Sequence, residues 1–514
     1  MDNSSIKIDT NTNTNLTVLS QHTVLPTLPT SSFSLPSPFL LGPLDAVPIF
    51  IPISVIFIFS PPTAVSFSRL HQALAHLLDY YPHLTGRLST NPLDNSSQID
   101  RLGTGAALVE ASCSLPLSAF SPHDTDAPLS ILDLSNGGND LLPPFGPDPA
   151  AACESPILTV QHTAFACGSV ALGVRTRHTI CDAHGYFMLV GHLGELYRRL
   201  REESGGTSAG GQRVQLRNPP CIMPFLADAE GVMMEEEKKQ AREYVPKDFF
   251  LEREGKKEED EEALPPTGYT VIQDSTSSIP LHPSSPPSPV TGRILHFSAS
   301  SLASLKNLAI SPTASPEEWI STFEALAAHL YQRIHFARLR VCSPSRSDRA
   351  DSEVLPLDFL TPINLRRHLD LPENYFPNAL TSLITTLPDL STSSLPTIAQ
   401  SLHHLIHPHS SLQTSQEETI KTLTWSASQP DKSKIRNHFR YSQWSLMLSS
   451  WVGFDMHDGV DFGRKPVLVG PPFTKVSLLD GLGYVLPCAP GGKGEGGVDV
   501  YLALEERTWE VLER

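Results

Sequence analysis

The sequence predicts an α/β (α+β) protein of two packed domains. Its 514 residues exceed what one hydrophobic core organises. Strand-like apolar runs hand over to helical-period segments in both halves. Between them, from residue 201 to about 290, the chain changes to charge blocks and Pro/Ser-rich low complexity, the composition of a crossover and not of a third core. A hydrophobic fraction of 40% leaves enough apolar area for two cores. The expected divisions are a disordered N-terminus over 1–25, an N-terminal domain over 26–215, a crossover linker over 216–290 and a C-terminal domain over 291–514.

In chain order, IFIPISVIFIF (49–59) is too short to span a bilayer, which takes roughly 20 residues, and its branched and aromatic residues predict a buried strand. LHQALAHLLDYYPHLTGRL (70–88) has helical spacing in its first half, ended by Pro82 and Gly86. SPILTVQHTAFACGSVALGVRTRH (155–178) reads as strand, and GYFMLVGHLGELYRRL (185–200) as helix, so His178 falls at a strand-to-helix junction. The charged run 235–262 is compatible with a solvated helix. GRILHFSASSLASLKNLA (292–309) predicts a strand then a helix, and STFEALAAHLYQRIHFARL (321–339) an amphipathic helix with a Ser or Thr cap and Glu324 in its first turn. SPSRSDRADSE (343–353) reads as a surface insertion.

A net charge of −17, much of it in 235–262, argues against a nucleic-acid partner, because phosphate binding needs clustered Lys and Arg. Seven scattered cysteines without a CxxC pair point to reduced thiols and neither a disulfide framework nor a zinc site. No secretory signal or membrane span is visible, so a cytoplasmic, membrane-free protein is expected. His184 and His192 do not sit together on one helical face and no carboxylate completes a site, so no metal is expected there. HHLIHPH (403–409) reads as a solvated helix end.

Within RHTICDAHGY (177–186), His178 and Asp182 stand four apart. A neutral imidazole at a strand end suits general-base work on a hydroxyl or amine. Asp182 either orients the ring directly or points away and pins the loop to a distant Arg; spacing does not choose. Cys181 is an alternative nucleophile, with a small buried residue as the simpler reading.

Other segments extend the pattern. HTICD, VDFGRKP (460–466), LHQALAHLLDYYPHLTGRL and INLRRHLDLPENYFPNAL (363–380) resemble, in order, the HxxxD, DFGWGKP, YPxxAGRL and D-x-R…YFGN features of the BAHD family of acyl-CoA-dependent acyltransferases, and SSW (449–451) stands the expected short distance before VDFGRKP. The likeness covers nearly the whole length. It implies two chloramphenicol-acetyltransferase-like domains, each a mixed sheet flanked by helices, with a channel between them. It implies acyl-CoA as co-substrate, a small-molecule acceptor, no permanently bound cofactor, and a monomer. Catalytic roles fall on His178 as base and on Trp451 and Ser449 as donors to the tetrahedral oxygen. Supporting roles fall on Asp182, paired with Arg366, and on Asp461 and Gly463 of the DFG-type turn, where Asp461 holds the turn.

The sequence departs from that pattern at several points. The glycine after Asp182 is delayed to Gly185, Arg464 stands where an aromatic is usual, Asn364 replaces the Asp of D-x-R, and Pro377 replaces a Gly. Altered packing is expected before lost activity. The long acidic crossover is more similar to the fungal branch than to the plant one. Two rival readings are a carrier-protein-dependent condensation-type enzyme, disfavoured by Arg177 where a second His is usual, and a non-catalytic metabolite-binding protein.

Overall fold

The computed structural model describes residues 15–47, 51–61, 65–121, 129–146, 148–203, 214–227, 233–252, 288–311, 319–342, 357–387, 389–407, 412–442, 444–488 and 496–514. The strands are β1 (Leu16–Val24), β2 (Phe39–Leu40), β3 (Pro52–Phe59), β4 (Arg87–Thr90), β5 (Ser97–Asp100), β6 (Ala106–Cys113), β7 (Leu158–Phe165), β8 (Val170–Arg177), β9 (Phe249–Leu251), β10 (Val290–Phe297), β11 (Asp358–Asn364), β12 (Leu380–Thr386), β13 (Ile435–Asn437), β14 (Leu446–Ser450), β15 (Leu468–Gly470), β16 (Leu482–Pro487) and β17 (Val498–Glu505). The helices are α1 (Phe67–Tyr80), α2 (Pro149–Glu154), α3 (Ala183–Glu203), α4 (Glu235–Glu243), α5 (Ala299–Ala309), α6 (Thr322–Cys342), α7 (Leu395–Ile406), α8 (Leu412–Ser428) and α9 (Glu506–Leu512).

Two six-stranded sheets carry the architecture, in the orders β1-β6-β7-β8-β3-β15 and β10-β17-β16-β14-β11-β12. Both are mixed. In the first only β6 and β7 run parallel, and in the second β14 runs parallel to both β16 and β11. β3 and β8 lie inside the first sheet and are buried along almost their whole length, so β3 (PISVIFIF) reads as a near-continuous apolar run, while β8 is apolar over 170–174 and then carries the buried Arg175, Thr176 and Arg177. β1, at the edge, alternates toward solvent. Helices α1 and α3 pack together over the first sheet, with the Tyr197 hydroxyl of α3 accepting from the Ser66 N–H at the cap of α1 (2.7 Å).

The structure corrects the reading of 1–25 as disordered: residues 16–24 form β1, paired with β6 through eight registered positions. The exposed polar residues of 16–24 are those of an edge strand that presents much of its length to water. The charged run is helical over α4, none of whose residues is buried. The proposed insertion at 343–353 lies outside the described residues. Among the described residues, no helix is long and apolar enough to cross a membrane.

β15 comes from the C-terminal half yet pairs antiparallel with β3 of the first sheet, Leu468 opposite Ile58. The core under that sheet consequently includes Phe376, Trp451, Phe462 and Val469 alongside Phe57, Leu77 and Leu193. A second core lies under the other sheet, around Leu326, Ile334, Phe359, Leu446 and Val500.

Candidate active site

His178 directly follows β8. Its N–H donates to the Ile51 carbonyl (2.8 Å), continuing the β3–β8 ladder by one position, and its own carbonyl accepts from the Asn378 side-chain amide (2.9 Å). The backbone of this residue is thus held from both halves of the chain. The side chain is half-buried, and its Nδ1 is shut off from solvent without a hydrogen-bond partner among the described residues. Burial pushes the imidazole below its ordinary basicity; its own carbonyl, the Asp182 charge and the Asn378 amide pull the other way without outweighing it. A ring in this state is neutral at physiological pH and able to take a proton.

Asp182 does not turn to His178. Its carboxylate is buried and grips the Arg366 guanidinium bidentately, Nη1 to Oδ2 at 2.8 Å and Nη2 to Oδ1 at 2.9 Å. The same two oxygens accept from the Gly185 N–H (3.0 Å), capping the first turn of α3, and from the Ala379 N–H (3.0 Å). Arg366 in turn donates to the carbonyls of Tyr375 (3.1 Å) and Pro377 (2.9 Å), and Nη1 stands 3.4 Å from Asn364 Oδ1, so all five of its N–H donors are engaged. Asn364 also accepts the Arg366 backbone N–H (2.9 Å), filling the place of a carboxylate with a neutral acceptor. Gly185 is required here: a Cβ on it would stand 2.1 Å from the Phe376 carbonyl oxygen.

Asp45, which the sequence reading did not single out, closes the network. Buried in the loop before β3, it accepts from Gly42 N–H (3.0 Å), Asn378 N–H (3.1 Å) and the Asn378 amide (2.9 Å). Asn378 therefore bridges Asp45 to the His178 carbonyl. Burial pushes the Asp45 carboxyl up to about 7, against the lowering effect of its hydrogen bonds.

Trp451 lies just beyond β14, its backbone N–H donating to the Val485 carbonyl (2.8 Å), and its indole packs against Phe187 of α3 (5.8 Å between ring centroids) and Tyr484 (5.1 Å). Ser449, two residues earlier on the same strand, is half-buried opposite Tyr484. Asp461 and Gly463 sit elsewhere, against the C-terminal part of α3. Asp461 Oδ1 accepts from the Gly463 N–H (2.7 Å), Gly463 takes φ +87°, and the Asp461 carbonyl accepts from Arg198. Gly194 allows that approach, because a Cβ there would meet the Asp461 carbonyl oxygen at 2.6 Å. Phe462 fills the space between Phe59 and Tyr197, and Arg464 donates to the Pro61 carbonyl (3.0 Å). The turn leads straight into β15.

The Transferase family model matches residues 14–272 and 284–514. The chain belongs to this family, that of the BAHD acyltransferases. This BAHD chain is 27% identical over 456 residues to hydroxycinnamoyltransferase 2 of Oryza sativa subsp. japonica, covering 87% of it and 86% of the relative. It is 26% identical over 461 residues to the hydroxycinnamoyl-CoA:5-hydroxyanthranilate N-hydroxycinnamoyltransferase HHT4 of Avena sativa, covering 87% and 85%. Its fold is shared with vinorine synthase (TM-score 0.60, 18% identity, 96% of each chain). It is shared equally with F. graminearum TRI101 complexed with coenzyme A and T-2 mycotoxin (TM-score 0.60, 18% identity, 93% and 97%).

Other candidates of this BAHD acyltransferase fall apart in space. His192 Nδ1 pairs with the Tyr81 hydroxyl (2.7 Å), while His184 lies edge-on to Phe454 (6.4 Å). Cys181 is fully buried and burial pushes its thiol well up, which removes it as a nucleophile. Cavities of ≈540 Å³ (around Asp358, Thr386 and Arg440) and ≈400 Å³ (around Ser301, Leu305 and His329) share no residue with the His178 network.

Proposed function

We propose that this protein transfers an acyl group from acyl-CoA to a hydroxyl or amine of a small specialised metabolite, with His178 as general base. The observation that carries the reading is the His178 ring itself. It is half-buried where the two halves of the chain meet, depressed in basicity, and relieved of any pairing with Asp182, which is committed to Arg366. The Avena relative, a hydroxycinnamoyl-CoA:5-hydroxyanthranilate N-hydroxycinnamoyltransferase, supports a CoA thioester as donor.

In this mechanism donor and acceptor enter a channel between the two domains from opposite faces. His178 takes the proton from the acceptor O–H or N–H as that atom attacks the thioester carbonyl carbon. The tetrahedral intermediate collapses by breaking the C–S bond, and the imidazolium returns the proton to the departing CoA sulfur, leaving free thiol and acylated acceptor. The indole N–H of Trp451 and the hydroxyl of Ser449 stabilise the oxyanion, a role worth about 2.7–4 kcal/mol per donor in other enzymes. Asp182 and Arg366 hold the loop that carries His178. Asp461 and Gly463 hold the turn that sends the chain back into the first sheet. CoA comes and goes as co-substrate, the protein works as a cytoplasmic monomer, and the acidic crossover supports its placement in the fungal branch.

The test is His178→Ala, assayed for thiol release with acetyl-CoA and hydroxycinnamoyl-CoA against a panel of alcohols and amines. Transfer is expected to fall by at least about 10²–10⁴-fold, the usual contribution of a general base, while circular dichroism and melting stay those of the parent. The parent's kcat/KM should fall on acidification with an apparent pKa below 6.5, since burial lowers that of His178. Near-normal turnover by the variant, or ligand binding without any thiol release by the parent, overturns the assignment.

A further inference from the structure

We propose that Glu324, His403 and His407 form a binding site for a divalent transition-metal ion of the zinc class, on the C-terminal half of the chain and sharing no residue with the His178 network. His403 lies in the last turn of α7 and His407 is its C-terminal cap residue, so the two imidazoles stand one helical turn apart on the same face. They converge on Glu324, in the first turn of α6: His403 Nδ1 is 3.1 Å from Oε2 and His407 Nε2 is 3.2 Å from Oε1. The ligand atoms of the three residues all lie within 4.8 Å of one another. A metal at about 2.0–2.1 Å from N and O donors places neighbouring donors of a tetrahedron about 3.3 Å apart, so the cluster has the spacing before any ion is added.

The carboxylate supplies the second observation. Glu324 is 1% exposed, its Oε2 accepts from the Ser321 N–H (2.7 Å), and its Oε1 is sealed from solvent with no hydrogen bond among the described residues. A carboxylate oxygen buried this way, with the His407 Nε2 at 3.2 Å but out of hydrogen-bond geometry, is costly unless a cation meets it. The donor set, two imidazole nitrogens and one carboxylate, selects zinc, cobalt or nickel over magnesium and calcium, which prefer all-oxygen shells. Three protein ligands leave a fourth position for water, reached from the His407 side, which is exposed. Trp319 packs its ring 4.6 Å from His403 and 4.9 Å from His407, closing one side of the cluster. Bound metal would pin α7 to α6. The HHLIHPH segment is thus no simple solvated helix end: His403 is largely buried against Glu324, and only Pro408 and His409 lie outside the described residues.

The competing arrangement is a metal-free ion pair in which protonated histidines share the glutamate. Calorimetric titration of the intact, chelator-treated chain with ZnCl₂ at pH 7.5 separates the two. One equivalent is expected to bind, and Co²⁺ in its place should give the visible absorption of a four-coordinate N/O site and quench Trp319 emission, a signal lost in Trp319→Phe. Exposed His407→Ala, and independently His403→Ala, should weaken that equivalent by about 100-fold or more, at least what a mere outer-sphere partner is worth. His404→Ala, an exposed neighbour on α7, should leave it unchanged. Absence of a stoichiometric Zn²⁺ equivalent in the parent, or its survival in both His407→Ala and His403→Ala, overturns the proposal.

Discussion

At the scale of single residues, Asp45 is a fully buried carboxyl whose environment is at odds with its ordinary chemistry. Its carboxyl is pushed up to about 7 by burial, so between pH 4 and 7 the folded chain holds a proton that the unfolded chain has released. Stability contributed by this group is therefore lost as pH rises through that window, by an amount on the order of a few kcal/mol at roughly 1.4 kcal/mol per pH unit. Asp45→Asn cannot titrate. Urea denaturation of parent and variant at pH 5, 6.5 and 8 should show the difference moving in the variant's favour as pH rises; a pH-independent difference would mean that Asp45 is ionised throughout. Nothing in LGPLDAVP marks this residue, because its role depends on Asn378, which is 333 positions away. His178 was legible by contrast, since its neighbours in sequence already place it at a strand end.

At the scale of elements, α3 is where the His178 loop and the Asp461 turn are anchored. Its first turn is capped by Asp182, its N-terminal part touches the Phe376 carbonyl through Gly185, and farther along Gly194 admits the Asp461 loop. The 3.6-residue period of GYFMLVGHLGELYRRL predicts this helix and its buried face, yet its glycines could equally have been read as weak points. What they face became visible only with the loops in place. Asp182→Ala should expose the importance of the junction, because it leaves the Arg366 guanidinium buried and unpaired and two backbone N–H groups without acceptors. A loss of about 3–5 kcal/mol is expected, as for other broken buried pairs, together with a fall in transfer rate. An unchanged denaturation curve with slower turnover would mean that the aspartate serves the chemistry directly.

At the scale of the whole molecule, the two halves are not separable at residue 290. β15 completes the edge of the first sheet beside β3, Phe462 packs between Phe59 and Tyr197, and Phe376 and Trp451 belong to the first core. A chain ending at residue 290 would therefore expose the apolar edge of β3 and should aggregate when expressed alone. Co-expression with residues 288–514 should restore soluble protein that elutes as one species in gel filtration. Independent solubility of the N-terminal piece with a cooperative melt would show that β15 is dispensable.

The amino-acid sequence by itself determined the local elements and the residue types available for chemistry. Buried strands, amphipathic helices and their caps are written in short-range pattern, and so is the HTICD segment at a strand-to-helix junction. Spacing left open whether Asp182 serves His178 or Arg366, and tertiary structure decided it, because a carboxylate takes the partner whose donors match it within hydrogen-bond reach. The same holds for β15 crossing into the first sheet, for Asp45 beneath Asn378, and for Glu324 meeting two histidines of another helix. Each joins segments remote in sequence, and no local propensity encodes which remote surfaces will be pressed together when the two cores form.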